Sequence, residues 1–225
     1  MRKLLVIGFV SVIGLVKAQT WKTEDQYIQK FAPYAVEEME KYKIPASITL
    51  AQGLLETGGG QSRLAQQGKN HFGIKCKEDW TGKTMKHTDD APNECFRVYD
   101  DPKQSYEDHS IFLATRKYYV GLFKLDAKDY KAWAHGLKKA GYATNPRYAH
   151  ILIDKIERYK LYEFDNTSKD EVYYAILKMY PALNNDAVFM AQLSQEKQND
   201  KVAPPTIKVD YTQGSYAKQQ SQVSD

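Results

Sequence analysis

The spacing of apolar and polar positions changes character several times along the chain, and each change marks a boundary. Arg2-Lys3 precede a largely apolar run, Leu4–Val16, which ends at Val16-Lys17-Ala18. This is the form of an export leader cut before Gln19, and its apolar stretch is shorter than the roughly 20 residues a membrane span needs. From Thr23 the period becomes helical. Thr23-Glu24-Asp25-Gln26 has the form of a capping box, and Tyr27, Ile28, Phe31, Ala35 and Met39 follow three and four residues apart. Pro33 is expected to kink or divide that helix. A second helix is predicted from Pro45, whose fixed φ suits a first turn, through Ile48, Ala51, Leu54 and Leu55 to the stop at Gly58-Gly59-Gly60. Glu56 then falls in its last turn, with Gln52 one turn earlier on the same side.

Between Asn70 and Tyr99 the helical period is lost. Short β-compatible runs at Phe72–Lys75, Lys83–His87 and Glu94–Tyr99 are separated by turn residues at Trp80-Thr81-Gly82 and Asp89-Asp90-Ala91-Pro92-Asn93. Helical spacing returns over Gln104–Thr115, Tyr130–Ala140 and Arg147–Tyr159, with two shorter candidates at Asp170–Tyr180 and Asp186–Leu193. The class expected is α+β, mostly helical, with a small antiparallel β-lobe inserted between helices. The organisation that follows is a leader over 1–18, one catalytic-sized domain over 19–165, a short helical extension over 166–194 and a flexible polar tail over 195–225.

Composition sharpens this picture in two respects. The formal charge of the 225 residues is +4, and removal of Arg2, Lys3 and Lys17 with the leader takes it to +1. Overall charge therefore gives no reason to expect a nucleic-acid partner. The two cysteines, Cys76 and Cys95, lie in the β-like stretch. Export would let them pair and staple that lobe. Strand parity counts the other way, since Cys95 alternates opposite to Phe96 and Val98, so two separate thiols remain the alternative. No CxxC or HExxH spacing supports a metal site, and no cofactor is expected.

Candidate chemistry centres on Glu56. An acid that protonates a glycosidic oxygen must hold its proton near neutral pH, where an ordinary Glu is ionised. At a helix C-terminus beside Ile48, Leu54 and Leu55, desolvation and the negative end of the helix dipole both raise its pKa. The surrounding motifs are specific. Ala51-Gln52-Gly53-Leu54-Leu55-Glu56-Thr57-Gly58-Gly59-Gly60, then Asn70-His71-Phe72-Gly73-Ile74-Lys75, Trp80-Thr81-Gly82, Phe96-Arg97-Val98-Tyr99 and Gly141-Tyr142-Ala143-Thr144-Asn145-Pro146-Arg147-Tyr148 occur in order. Together they resemble glycoside hydrolase family 73, the N-acetylglucosaminidase domains of bacterial autolysins and flagellar wall hydrolases, over about Thr23 to Asp165. Asn145 departs from the Asp that the last motif usually carries.

The resemblance implies a lysozyme-like fold and cleavage of the β-1,4 bond on the reducing side of N-acetylglucosamine in peptidoglycan; the leader implies a secreted protein, and a monomer is expected. It also implies that Glu56, the Glu of the Gln-x-x-Leu/Ile-Glu motif, is the general acid. A second acidic residue is expected on the β-lobe, with Asp90 and Asp89 ahead of Glu94 and the register left open. Tyr142 matches a tyrosine of the active groove. Gln52, Asn70, His71, Phe72, Trp80 and Tyr148 are the candidate sugar contacts; Tyr118, Tyr119 and Trp133 are further aromatic candidates, with core packing favoured for Trp133. A lytic transglycosylase and a non-catalytic wall-binding protein are the competing readings.

Overall fold

The computed structural model describes residues 21–77, 80–89 and 91–200. The expected leader over residues 1–18 and the candidate Asp90 therefore lie outside the described residues. Thr23 caps helix α1 (Glu24–Tyr42), its hydroxyl accepting from the Gln26 backbone N–H. The reciprocal half of the capping box does not form, because the Gln26 side chain accepts from the Lys22 N–H instead. Pro33 does not divide α1, which runs through it. The stripe Tyr27, Ile28, Phe31, Ala32, Ala35 and Val36 is buried, and such packing outweighs the roughly 3 kcal/mol that an internal proline costs.

Pro45 stands at the N-cap position of helix α2 (Ala46–Glu56), which therefore starts one residue later than predicted. It stops where Gly58, Gly59 and Gly60 all adopt positive φ, a conformation glycine enters without steric penalty. Every residue of α2 from Ala46 to Leu54 is buried.

The short helix α3 (Arg63–Gly68) leads into the β-lobe. There β1 (Thr84–His87) pairs antiparallel with β2 (Glu94–Arg97), in the register Thr84↔Arg97 to His87↔Glu94. The predicted strand Phe72–Lys75 shrinks to one bridge, Lys75↔Phe96. Gly73 turns the backbone at φ +59, and the Asn70 side chain takes over the role of a ladder, donating to the carbonyls of Ile74 and Arg97 and accepting from the Ile74 N–H. The bridge also accounts for the cysteines. It sets Cys76 directly opposite Cys95, and the two form a disulfide. Cys95 does point away from buried Phe96, and Cys76 meets it on that same outer side.

The rest is helical: α4 (Pro102–Thr115), α5 (Tyr130–Lys139), α6 (Tyr148–Arg158), α7 (Val172–Met179) and α8 (Ala187–Asp200). Three 3₁₀ turns, at Val120–Lys124, Leu161–Asn166 and Pro181–Asn185, lie between them. The class is α+β and mostly helical. Helix α8 continues to Asp200, where composition had suggested a tail from residue 195. Gln, Glu and Lys extend a helix readily once Phe189 and Leu193 have anchored its first turns in the core. Among the described residues no helix is long and apolar enough to cross a membrane.

Helix α2 is enclosed by α1, α5, α6 and the turn Leu161–Asn166. Asp165 of that turn accepts from both the backbone N–H (2.8 Å) and the hydroxyl (2.6 Å) of Ser47, which fixes the start of α2. The extension joins the same core: Val172 and Ile176 of α7 are buried, α7 packs on α1, and the Tyr180 hydroxyl donates to Asp25 at 3.2 Å. Ile176→Ala is expected to lower stability by about 2–4 kcal/mol, the cost of a buried Ile-to-Ala cavity, as a shift of the single urea transition. An unshifted main transition, with loss only of the helical signal from residues 172–200, would mean that the extension folds apart from the domain.

Candidate active site

Because α2 is buried as far as Leu54 and half-buried at Leu55, Glu56 is its first exposed residue. The helix thereby delivers a carboxyl to the surface while surrounding that carboxyl with protein on its other sides. Burial is the largest influence on its pKa, the negative charge of Asp89 adds to it, and a hydrogen bond from Tyr148 opposes both. The outcome is a carboxyl raised to about 7, so that near neutrality roughly half the molecules hold the proton. The turn behind it is fixed by Thr57, whose hydroxyl donates to the Gly53 carbonyl and accepts from the Gly60 N–H at 2.7 Å.

A chain of hydrogen bonds runs from α2 across to α6 and back. The Gln52 amide donates to the Tyr148 hydroxyl oxygen at 3.0 Å. With its oxygen occupied as an acceptor, Tyr148 keeps its own proton for Glu56, whose hydrogen-bond partner it is. One Glu56 oxygen is thus held as an acceptor, which leaves the other to carry a transferable proton. Tyr142 stacks on Tyr148 (5.6 Å between ring centroids, 28°), and Tyr119 packs on Tyr142 at 6.0 Å. Burial and the neighbouring Glu56 charge keep Tyr142 and Tyr148 protonated.

The facing wall is the β-lobe. Asp89 lies in the turn after β1, close enough to Glu56 to raise its pKa. The Lys75 amine sits 4.0 Å from Asp89 and 2.8 Å from Glu94. Glu94 also accepts from the Ala91 N–H at 3.1 Å, so it ties the turn to the lobe, and Asp89 is the described carboxylate coupled to Glu56. Lys75 belongs to the second motif, yet sequence reasoning gave it no role. Its place in the short segment beside an acidic turn was the available signal.

Five of the expected sugar contacts are buried, which corrects that expectation, and one of them is Tyr148, 2% exposed with its hydroxyl accepting from Gln52. Gln52 is 0% exposed and meets Tyr148 rather than solvent. Asn70 is buried and its amide is used on the β-lobe backbone. His71 is buried; its Nδ1 pairs with the Tyr27 hydroxyl at 2.8 Å, its backbone N–H donates to Ser105, and burial lowers its pKa to about 3. Phe72 is buried against Tyr106 and stacked on His109 at 4.0 Å. These residues join the β-lobe to α1 and α4. Trp80 is half-buried over Gly82, with the Arg97 guanidinium 4.6 Å from its ring centre and its indole N–H donated to the Lys83 carbonyl. Trp133 is core, packed on Phe123. Among the described residues expected at the groove, Tyr148, Tyr142 and Asp89 are the ones brought to Glu56. Among the described residues no three His, Cys, Asp or Glu side chains are grouped to hold a metal ion.

Residues 32–161 match the glucosaminidase family, described as mannosyl-glycoprotein endo-β-N-acetylglucosaminidase. The chain is 32% identical over 165 residues to the exo-glucosaminidase LytG of Bacillus subtilis, covering 68% of this chain and 58% of that protein. It is 28% identical to the peptidoglycan hydrolase FlgJ of Vibrio cholerae over 64% of this chain and 45% of that one. The chain thus spans about half the length of the curated relatives it matches. Among solved structures, the catalytic domain of the Listeria monocytogenes autolysin Auto superposes with a TM-score of 0.56 at 30% identity, over 66% of this chain and 91% of that one. The glycoside hydrolase domain of Salmonella typhimurium FlgJ gives 0.55 at 26%, over 70% and 99%.

Tyr148→Phe removes a donor that favours the Glu56 anion, so the Glu56 pKa is expected to rise above about 7. Carbon-13 NMR titration of labelled Glu56 reads this directly. A pKa that stays still or falls would show that the phenol does not donate to the carboxyl.

Proposed function

The chain belongs to the glucosaminidase family of glycoside hydrolases, family 73, and from that we propose that it hydrolyses peptidoglycan glycan strands at the β-1,4 bond on the reducing side of N-acetylglucosamine, with Glu56 as general acid. The observation that carries this reading is the coupled pair Glu56 and Asp89. One carboxyl is raised to about 7 by burial and by the other's charge, while Lys75 stands beside the second. Two carboxyl groups in unlike surroundings divide the acid and the anionic role between them.

In the proposed reaction the protonated oxygen of Glu56 gives its proton to the bridging oxygen as the C1–O bond breaks. The positive charge growing on C1 and the ring oxygen is met by the Asp89 carboxylate, or by the acetamido oxygen of the substrate itself, and water then adds at C1. Tyr148 and Gln52 keep the Glu56 proton on the oxygen away from the phenol. Tyr142, stacked on Tyr148, supplies an aromatic floor beside them. The Cys76–Cys95 disulfide supports a site of action outside the reducing cytoplasm, in keeping with a wall substrate and with export.

Glu56→Gln keeps the shape of the side chain but has no proton to give, and should lower turnover of purified peptidoglycan by about 10²–10⁴-fold. For the unsubstituted protein, protonated Glu56 is the active form, so the rate should fall as pH rises through about 7. Mass analysis of the fragments identifies the bond. Reducing-end N-acetylglucosamine supports the proposal, anhydro-muramic ends would make the protein a lytic transglycosylase, and wall binding without cleavage would make it a binding protein. The length of the products separates internal cutting from the end-wise action for which LytG is named.

A further inference from the structure

The cations of this chain are unevenly distributed. Residues 116–160 hold 11 Lys and Arg against 4 Asp and Glu. Three of those cations are neutralised, in the pairs Lys131–Glu157, Lys155–Glu24 and Arg158–Asp154. Arg116, Lys117, Lys139 and Arg147 are exposed and have no carboxylate partner within 4 Å among the described residues. Two of them, Arg116 and Lys117, open the turn between α4 and the 3₁₀ turn Val120–Lys124. The Arg116 carbonyl accepts from the N–H groups of Tyr119 and Val120, which closes the turn.

That turn is tied to the active groove by Tyr119. The Tyr119 ring is buried between Phe112 (5.5 Å) and Tyr142 (6.0 Å), and Tyr142 stacks on the Tyr148 that meets Glu56. With Tyr119 held inward, its neighbours face out. Tyr118 is 68% exposed, one of the few large apolar side chains so exposed, with the Lys117 amine 5.2 Å from its ring centre. Arg116 lies over the Phe112 ring at 5.2 Å. Aromatic stacking holds each cation in place without neutralising it, so its charge stays available to an incoming anion.

We propose that the turn Arg116–Val120 is a subsite for the acidic peptide branches of the glycan strand, with Arg116 and Lys117 taking their carboxylates and Tyr118 offering its face to the sugar or peptide alongside. This rests on the peptidoglycan reading of the active site. On the β-lobe the carboxylates Asp89 and Glu94 are already met by Lys75, whereas Arg116 and Lys117 have no carboxylate partner within 4 Å among the described residues. An acidic branch is drawn to the Arg116–Lys117 turn, where the cations are not neutralised. In a strand whose branches occur on every second sugar, this asymmetry helps set which sugar stands at Glu56, and so which bond is cut.

The test compares native soluble glycan strands with the same strands whose carboxyl groups have been coupled to a neutral amine. Arg116→Glu with Lys117→Glu should raise KM on native strands about fivefold at low ionic strength with kcat unchanged, and the difference should vanish in about 0.5 M salt. On neutralised strands the double variant should match the unsubstituted protein. Lys124→Glu with Lys128→Glu, an equal change of charge on exposed residues of the same segment, should leave both substrates unaffected. An unchanged KM, an equal loss on both substrates, or an equal effect of the control pair would overturn the subsite. Strand binding by Glu56→Gln, with and without the charge reversals, reads the same preference without catalysis. Absence of cleavage by the unsubstituted protein would therefore count against the hydrolase reading alone.

Discussion

Burial of α2 on every side is the constraint on which the rest of the molecule depends. A helix enclosed from Ala46 to Leu54 must meet most of its polar groups inside the protein, and α2 shows how. Asp165 answers Ser47 at one end, Thr57 closes the other, and Gln52 in the middle reaches Tyr148. Gly53 shows how tight the enclosure is: a Cβ there would stand 2.5 Å from the Tyr27 hydroxyl, the same hydroxyl that pairs with His71 and Tyr106. The position of Glu56 follows. It is where the enclosed helix emerges, and its raised pKa comes from the protein packed around the carboxyl and from the charge of Asp89.

The two walls of the groove are built to different standards. The α2 and α6 side is a close-packed core with tyrosines layered on it, so Glu56, Tyr148 and Tyr142 have little freedom. The β-lobe has two four-residue strands, one bridge, the Asn70 side chain and a disulfide. A lobe that small cannot rely on apolar burial, and polar and covalent ties take its place. The buried cluster of His71, Tyr27 and Tyr106 is the hinge post where this lighter structure is fastened to α1 and α4.

Much of this was legible in the sequence, for reasons that differ by element. Pro45 and the three glycines bracket α2, and that bracket alone puts Glu56 in its last turn. Tyr148 and Tyr142 were found through a motif, and they do converge on Glu56. The same kind of motif misled for Gln52, Asn70, His71 and Phe72. A motif says which residues act together; it does not say which of them face water, and these four support the groove from behind. The 3₁₀ turns carry no periodic signal. Strand parity argued against the cysteine pair only while the partner strand was unknown, since a bridge at Lys75 brings Cys76 to the outer side.

The ring that the disulfide closes runs from Cys76 to Cys95 and contains β1 and Asp89. Closing a loop of that size removes conformational freedom corresponding to about 3 kcal/mol, and here the freedom removed belongs to the wall facing Glu56. Two molecules of identical sequence therefore differ in how firmly their anionic wall is held, according to whether they have met an oxidant. A newly made chain in reducing surroundings has its acid in place, because α2 needs no covalent help, while the facing carboxylate still hangs on an open ring. In this way the fold carries a record of where the molecule has been, written in the half of the site opposite the acid.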